Sequence, residues 1–170
     1  MSRYLLWVVC IMMLGILAVF LLLKNQDCFQ ETKTMVFKTK EEAQRTGAVS
    51  NGWLPLNLPP SASRIHEKHN WDYNRGIISF RFEPKESPAM THSLERLSAN
   101  ALPLTKPAWL CREEEWFPSF LVRGDPQRLA AENLALYAQP SQMLVTNPPE
   151  HRRKWYFAVD EEKGIGYGWN

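Results

Sequence analysis

Apolar positions along the chain fall into three patterns, and each predicts a different element. The first is unbroken: Tyr4 to Leu23 reads YLLWVVCIMMLGILAVFLLL, with no charged residue, Pro, Asn or Gln. At ~1.5 Å per residue, a helix of that length crosses the ~30 Å hydrocarbon layer, which predicts a transmembrane signal-anchor over residues 1–23. Tyr4 and Trp7 sit where amphipathic rings prefer the lipid–water boundary, and Arg3 and Lys24 bracket the run. The second pattern has period two. Ile78, Phe80 and Phe82 alternate with Ser79 and Arg81, as a strand with one buried face requires. Trp155, Phe157 and Val159 repeat it before Glu161-Glu162-Lys163-Gly164, and Ile165, Tyr167 and Trp169 repeat it after, the signature of a hairpin. The third is helical: Met90, Leu94, Leu97 and Ala101 share one stripe after Ser87-Pro88, predicting a helix to about Ala99.

Polar punctuation divides the rest. Lys24 to Lys38 reads as a stalk, polar through Thr34, and Thr39 with Glu42 has the spacing of a capping box that opens a helix over Lys40 to Thr46, with Gly47 as its stop. Strands are expected at Arg64–Asn70, Gly76–Glu83, Trp109–Arg112, Phe120–Arg123, Leu134–Ala138, Met143–Thr146, Lys154–Asp160 and Ile165–Trp169, and a short helix at Gln127–Asn133 behind the cap Asp125-Pro126. Strands mostly neighbour one another in sequence. The expected fold class is therefore α+β: a transmembrane helix over 1–23, a stalk over 24–38, and one mainly antiparallel sheet domain with two or three short helices over 39–170.

One stretch fits no regular element. Asn51 to Ile65, NGWLPLNLPPSASRI, carries Trp53, Leu54, Leu56 and Leu58, which favour burial, among Pro55, Pro59 and Pro60, which helix interiors and central strands reject. It reads as a stiff strap packed across the domain, with a peptide-binding lip of Trp53, Pro55 and Pro59 as the functional alternative.

Charge and cysteine usage bear on location. Setting Arg3 aside takes one from the 20 basic side chains, leaving the rest nearly balanced against 18 acidic ones, so no general attraction for nucleic acid follows. Lys24, Lys33, Lys38 and Lys40 after the apolar run favour a cytoplasmic domain by the positive-inside rule. Cys28 and Cys111, the two thiols outside the run, suit a single disulfide in an oxidising compartment, and long domains translocate with little regard to flanking charge. The extracytoplasmic placement is preferred. A removable signal peptide fits less well, because LLLKNQDC offers no small-x-small cleavage site, and Asn25, Gln26 and Asp27 exclude Cys28 as a lipid acceptor.

The densest chemistry lies in HEKHNWDYNRG, His66 to Gly76. His66 and His69 are one residue short of the spacing that stacks two imidazoles on a helix, and on a strand they face opposite sides, so no metal is expected. Asp72, Asn74 and Gly76 begin like a calcium loop, but Ile77 replaces the required glycine; Asp72 and Asn74 are read as polar turn residues with a speculative binding role. No nucleophile elbow is present, Cys111 lies among Trp and Leu, and Glu113 to Glu115 reads as a solvated run. Neither cofactor nor enzymatic activity is expected.

Gly52-Trp53-Leu54-Pro55, Leu58-Pro59, Ser61-Ala62, Ile65, and Asp72 with Asn74 together resemble a G-W-L-P-x-x-L-P-x-S-A-x-x-I … D-x-N pattern of small bacterial membrane-anchored or lipoprotein-like proteins. The resemblance implies a bacterial cell-envelope setting and no particular activity. The expectation is a single-pass protein of the bacterial inner membrane, held in the bilayer by residues 4–23. Its domain would act as a non-enzymatic accessory or binding module towards an envelope protein, immunity- or inhibitor-like. The alternative is an envelope hydrolase or ligand-binding enzyme using His66, His69, Asp72 and Glu113.

Overall fold

The computed structural model describes residues 7, 11–16, 32–71, 75–101, 114–141 and 154–170. Seven strands form one sheet: β1 (Thr32–Thr39), β2 (Ser63–Asn70), β3 (Arg75–Arg81), β4 (Glu95–Leu97), β5 (Ala135–Ala138), β6 (Tyr156–Asp160) and β7 (Ile165–Trp169). Their order is β1-β2-β3-β7-β6-β5-β4, and every neighbouring pair is antiparallel. Two meanders thus meet at the centre, where β3 of the first pairs with β7 of the second. Short helices complete the α+β fold: α1 (Lys40–Arg45), α2 (Ser87–Thr91), α3 (Ser119–Arg123) and α4 (Pro126–Ala131).

Among the described residues, no helix is long and apolar enough to cross a membrane. Of the apolar run, residues 7 and 11–16 are described, and they are helical. The expected fold of transmembrane helix plus domain is corrected accordingly. The calls built on the anchor are corrected with it: the bilayer as partner, placement in a bacterial inner membrane, and function as a membrane-anchored envelope accessory module contacting an envelope protein. Cys28 and Cys111, with the disulfide expected between them, lie outside the described residues, as do the strands expected at Trp109–Arg112 and Met143–Thr146.

Both faces of the sheet are covered. Phe37, Ile65, Ile78, Phe80, Phe157 and Val159 project to one face, where Ala43 of α1 and Ala48, Leu54, Leu58 and Ala62 of the following segment close over them. Ile77, Leu136 and Ala158 project to the other, beneath Phe117, Leu121, Val122 and Leu129. The strap therefore forms half of a core. Leu54 and Leu58 are 0% and 2% exposed, and burying each contributes about 1.5–3 kcal/mol.

Local chemistry explains several boundaries. Thr39 caps α1 by accepting from Glu42 N at 3.3 Å, while the Glu42 carboxylate reaches one residue further back than a capping box requires and accepts from Lys38 N at 2.6 Å. Asp125 accepts from Gln127 N at 3.0 Å and Arg128 N at 3.1 Å to open α4. Ser61 clamps the strap: its N–H and hydroxyl donate to Glu86 Oε2 at 3.1 and 2.7 Å, and its oxygen accepts from Glu83 N at 2.8 Å.

Three local expectations are corrected. β1 comes from the segment expected as a stalk, because its Phe37 is buried beside Ile65 of β2 while its other face stays exposed. The helix expected to run to Ala99 stops at Thr91, since residues 95–97 pair with β5 as the sheet edge. The strand expected at Phe120–Arg123 is α3, ended by Gly124 in the left-handed conformation (φ 66°).

Candidate functional site

β2 presents different chemistry to each face of the sheet. His66 and Lys68 turn towards the α3–α4 face, where the His66 ring stacks on Trp116 (5.5 Å between centroids, 25°) and Lys68 pairs with Glu114 at 2.6 Å. Glu67 and His69 turn towards the strap. The two histidines therefore do not converge, which removes the pair on which the hydrolase alternative rested; Asp72, Asn74 and Glu113 lie outside the described residues. Among those residues no group of three or more His, Cys, Asp or Glu could hold a metal ion.

On the strap face, Pro55 and Pro59 are buried and Trp53 is half-buried. The Trp53 indole lies flat on His69 at 4.5 Å, with Trp71 edge-on to both rings at 5.1 and 4.8 Å. Of the residues expected to form a lip, only Trp53 thus reaches solvent, and part of its ring is covered by its own fold.

On the opposite face a cavity of about 270 Å³ opens over β2, β3 and β7, lined by Arg64, His66, Ser79, Arg81, Trp116 and Tyr167 among others. Register gathers them: His66 lies opposite Ser79, Ser79 opposite Tyr167, and Arg81 follows Ser79 on the same face. Arg64 comes from an irregularity. The β2–β3 register shifts between Ser63 and His66, and Arg64 there has φ 48°, a left-handed backbone conformation unusual for a residue with a side chain. Such strain persists only where surrounding structure holds it, and it is concentrated at functional sites.

The electrostatics of this cavity are one-sided. Among the described residues neither Arg64 nor Arg81 makes an ion pair, whereas nearby Lys68 is neutralised by Glu114. Burial pushes the Tyr167 phenol above its ordinary range while the Arg81 charge pulls it back, so at neutral pH Tyr167 keeps its proton. Two guanidiniums, a hydroxyl, a phenol and an imidazole face one small volume walled by indole and phenol rings. A second cavity, of about 320 Å³, sets Glu161 and Glu162 against the single cation Arg96, and Glu161 already accepts from the Tyr137 hydroxyl. Its lining therefore mixes both signs of charge and is acidic on balance.

Sequence reading missed Arg64 and Tyr167 as site residues. Alternation placed Ser79 and Arg81 on one side of β3, but that side read as solvent-facing, and only the pairing of β3 with β7 brings Tyr167 beside them.

Residues 31–81 match the family model of the YbbD head domain. The matched stretch comprises β1, α1, the strap, β2 and β3, and ends with Arg81 of the cavity; it is under a third of the chain, so the likeness is to one meander. No curated protein and no solved structure matches. The resemblance to membrane-anchored or lipoprotein-like proteins is corrected by this finding, since the residues that carried it fall in the matched segment, where Leu54, Pro55, Leu58 and Pro59 are buried beneath the strap's surface.

Proposed function

We propose that this domain is a non-enzymatic binding module for a small anion, taken up in the cavity between Arg64 and Arg81. The observation that carries the reading is the pair of guanidiniums that, among the described residues, have no carboxylate partner and line one open cavity. Guanidinium is charged at every physiological pH and donates in a planar fork suited to carboxylate and phosphate. The Ser79 hydroxyl and the Tyr167 phenol add donors. Ser79 lies opposite His66, but among the described residues no hydrogen bond joins the hydroxyl to the imidazole, so the site is read as one that holds charge rather than moves protons.

Size narrows the ligand. Pockets for drug-sized molecules hold about 300–1,000 Å³, and at about 270 Å³ this one suits phosphate or a short mono- or dicarboxylate rather than a nucleotide. Calorimetric titration of the full chain with phosphate, acetate and succinate should give saturable binding for at least one anion, weakened at least about tenfold by Arg64→Gln or Arg81→Gln. Absence of saturable anion binding, or equal binding by both variants, overturns the proposal. Equal affinity for phosphate and for a nucleoside monophosphate overturns the size argument.

A further inference from the structure

Glu67 and His69 form the most enclosed titratable pair among the described residues. They are 0% and 4% exposed, and Glu67 Oε1 lies 2.7 Å from His69 Nδ1. Their outer atoms, Glu67 Oε2 and His69 Nε2, are also buried and have no hydrogen-bond partner among the described residues. Among the described residues, the charged side chain set against them is Lys33 of β1, which lies opposite His69, places its ammonium 5.8 Å from the centre of the Trp53 ring and exerts its charge on Glu67. β3 contributes Gly76 and Ile78 across from them, and Trp155 approaches Gly76; none of these titrates.

The pair is also the floor on which the strap rests. Trp53 lies flat against the His69 ring, and the N–H groups of Trp53 and Leu54 both donate to Ala48 O at 3.1 and 3.2 Å, so displacing the indole pulls on the strap's own backbone turn.

We propose that the Glu67–His69 pair is a proton-operated latch for the strap, closed when the two side chains hold one proton between them and carry no net charge. Adding a second proton leaves an imidazolium beside a neutral carboxylic acid, with Lys33 as a like charge and the new proton on Oε2, where among the described residues it meets no acceptor. Removing the shared proton leaves a carboxylate whose Oε2 is buried without a donor. Either state gains by admitting water, and the route for water is past Trp53. Burial raises the Glu67 carboxyl, consistent with an enclosed pair that resists carrying charge. Because Glu67 is raised, its own contribution to stability is full below the ordinary glutamate range and falls as pH rises through its folded value. That sets the alkaline limb, and uptake of a second proton by the enclosed pair sets the acid limb.

The test is hydrogen exchange of the full chain, followed by mass spectrometry from about pH 5 to about pH 9 and corrected for intrinsic exchange. The β6–β7 hairpin serves as internal reference for global opening. Strap amides over residues 48–62 should be best protected at intermediate pH, with exchange accelerating by up to about tenfold per pH unit on each side as single protons are gained or lost. Glu67→Gln should abolish the alkaline limb and keep the acid one. His69→Phe, which preserves the ring stack, should abolish the acid limb. The double variant should be flat. A strap whose protection is independent of pH in the wild type, or a double variant that keeps the wild-type profile, overturns the latch. Variants that do not fold are identified by loss of protection in the reference hairpin; in that case the wild-type profile alone decides.

Discussion

Replacing Gly166 by alanine puts a methyl group where the ring of Phe80 already lies. A Cβ built at residue 166 falls 2.3 Å from Phe80 Cζ and 2.7 and 2.8 Å from its Cε atoms, well inside contact distance. Phe80 is 1% exposed and packs in the strap-side core, so its ring can yield only by displacing its neighbours there. Overpacking of this kind costs about 1–3 kcal/mol, which for a chain of this size lowers the melting temperature by several degrees, at about 2–4 °C per kcal/mol. Urea denaturation of Gly166→Ala should show that loss with an unchanged denaturant slope. Gly76→Ala is the control: its nearest neighbour would be Lys68 O at 3.4 Å, ordinary contact, and it should stay within about 0.5 kcal/mol of the wild type. The decisive measurement is the double variant Gly166→Ala with Phe80→Leu. Shortening the aromatic should recover part of the alanine's cost, giving a coupling above about 0.5 kcal/mol. If Gly166→Ala matches Gly76→Ala, or if the two changes simply add, the close packing of β3 across β7 is refuted.

Three further outcomes follow from the caps and titrating groups. Asp125→Ala removes the acceptor of two α4 N–H groups and should cost about 1 kcal/mol by chemical denaturation, whereas Asp125→Asn should cost less. Ser61 hydrogen bonds hold the Glu86 carboxyl below its usual range, so their contribution is present above that range and lost as pH falls through the folded value; the melting-temperature difference between wild type and Ser61→Ala should shrink on acidification, and a constant difference would refute the clamp. The Tyr167 phenol, raised by burial and lowered in part by Arg81, should ionise above free tyrosine in a phenolate absorbance titration and higher still in Arg81→Gln. Its contribution to stability is full below the ordinary tyrosine range and is lost as pH rises through the folded value.

Legibility in the sequence followed the range of the determining interaction. The cap at Thr39, the cap at Asp125 and the β6–β7 hairpin depend on residues within a few positions of one another, and their side chains announce them. The Phe120–Arg123 stretch was misread because a short apolar run carries no period. What makes it helical is Gly124 closing it and Leu121 and Val122 finding a core made by distant strands. Likewise Leu94 and Leu97 fit a helical stripe, yet the free edge of β5 offers residues 95–97 hydrogen bonds that local propensity cannot foresee. The apolar run at the N terminus shows the same limit: length and hydropathy argue for a membrane span, whereas among the described residues no helix is long and apolar enough to cross one.

The two candidate devices share β2, and the pleat explains how one strand serves both. Arg64 is displaced by the register shift, His66 faces the basic cavity, and Glu67 and His69 face the strap, so successive residues alternate between an anion site and a buried proton pair. Such a strand cannot slip by one residue without placing Glu67 among the guanidiniums and His66 beneath Trp53. The bulge at Arg64 lies between the buried Ala62 and Ile65, where the strap hands over to the sheet. It therefore sets the reach of the guanidinium. Deleting Arg64, the extra residue against β3, should restore regular pairing with His66 still opposite Ser79 and Glu67 opposite Ile78, so the anion site should be lost while the latch survives. Arg64→Gly keeps the left-handed turn and should remove the anion site alone.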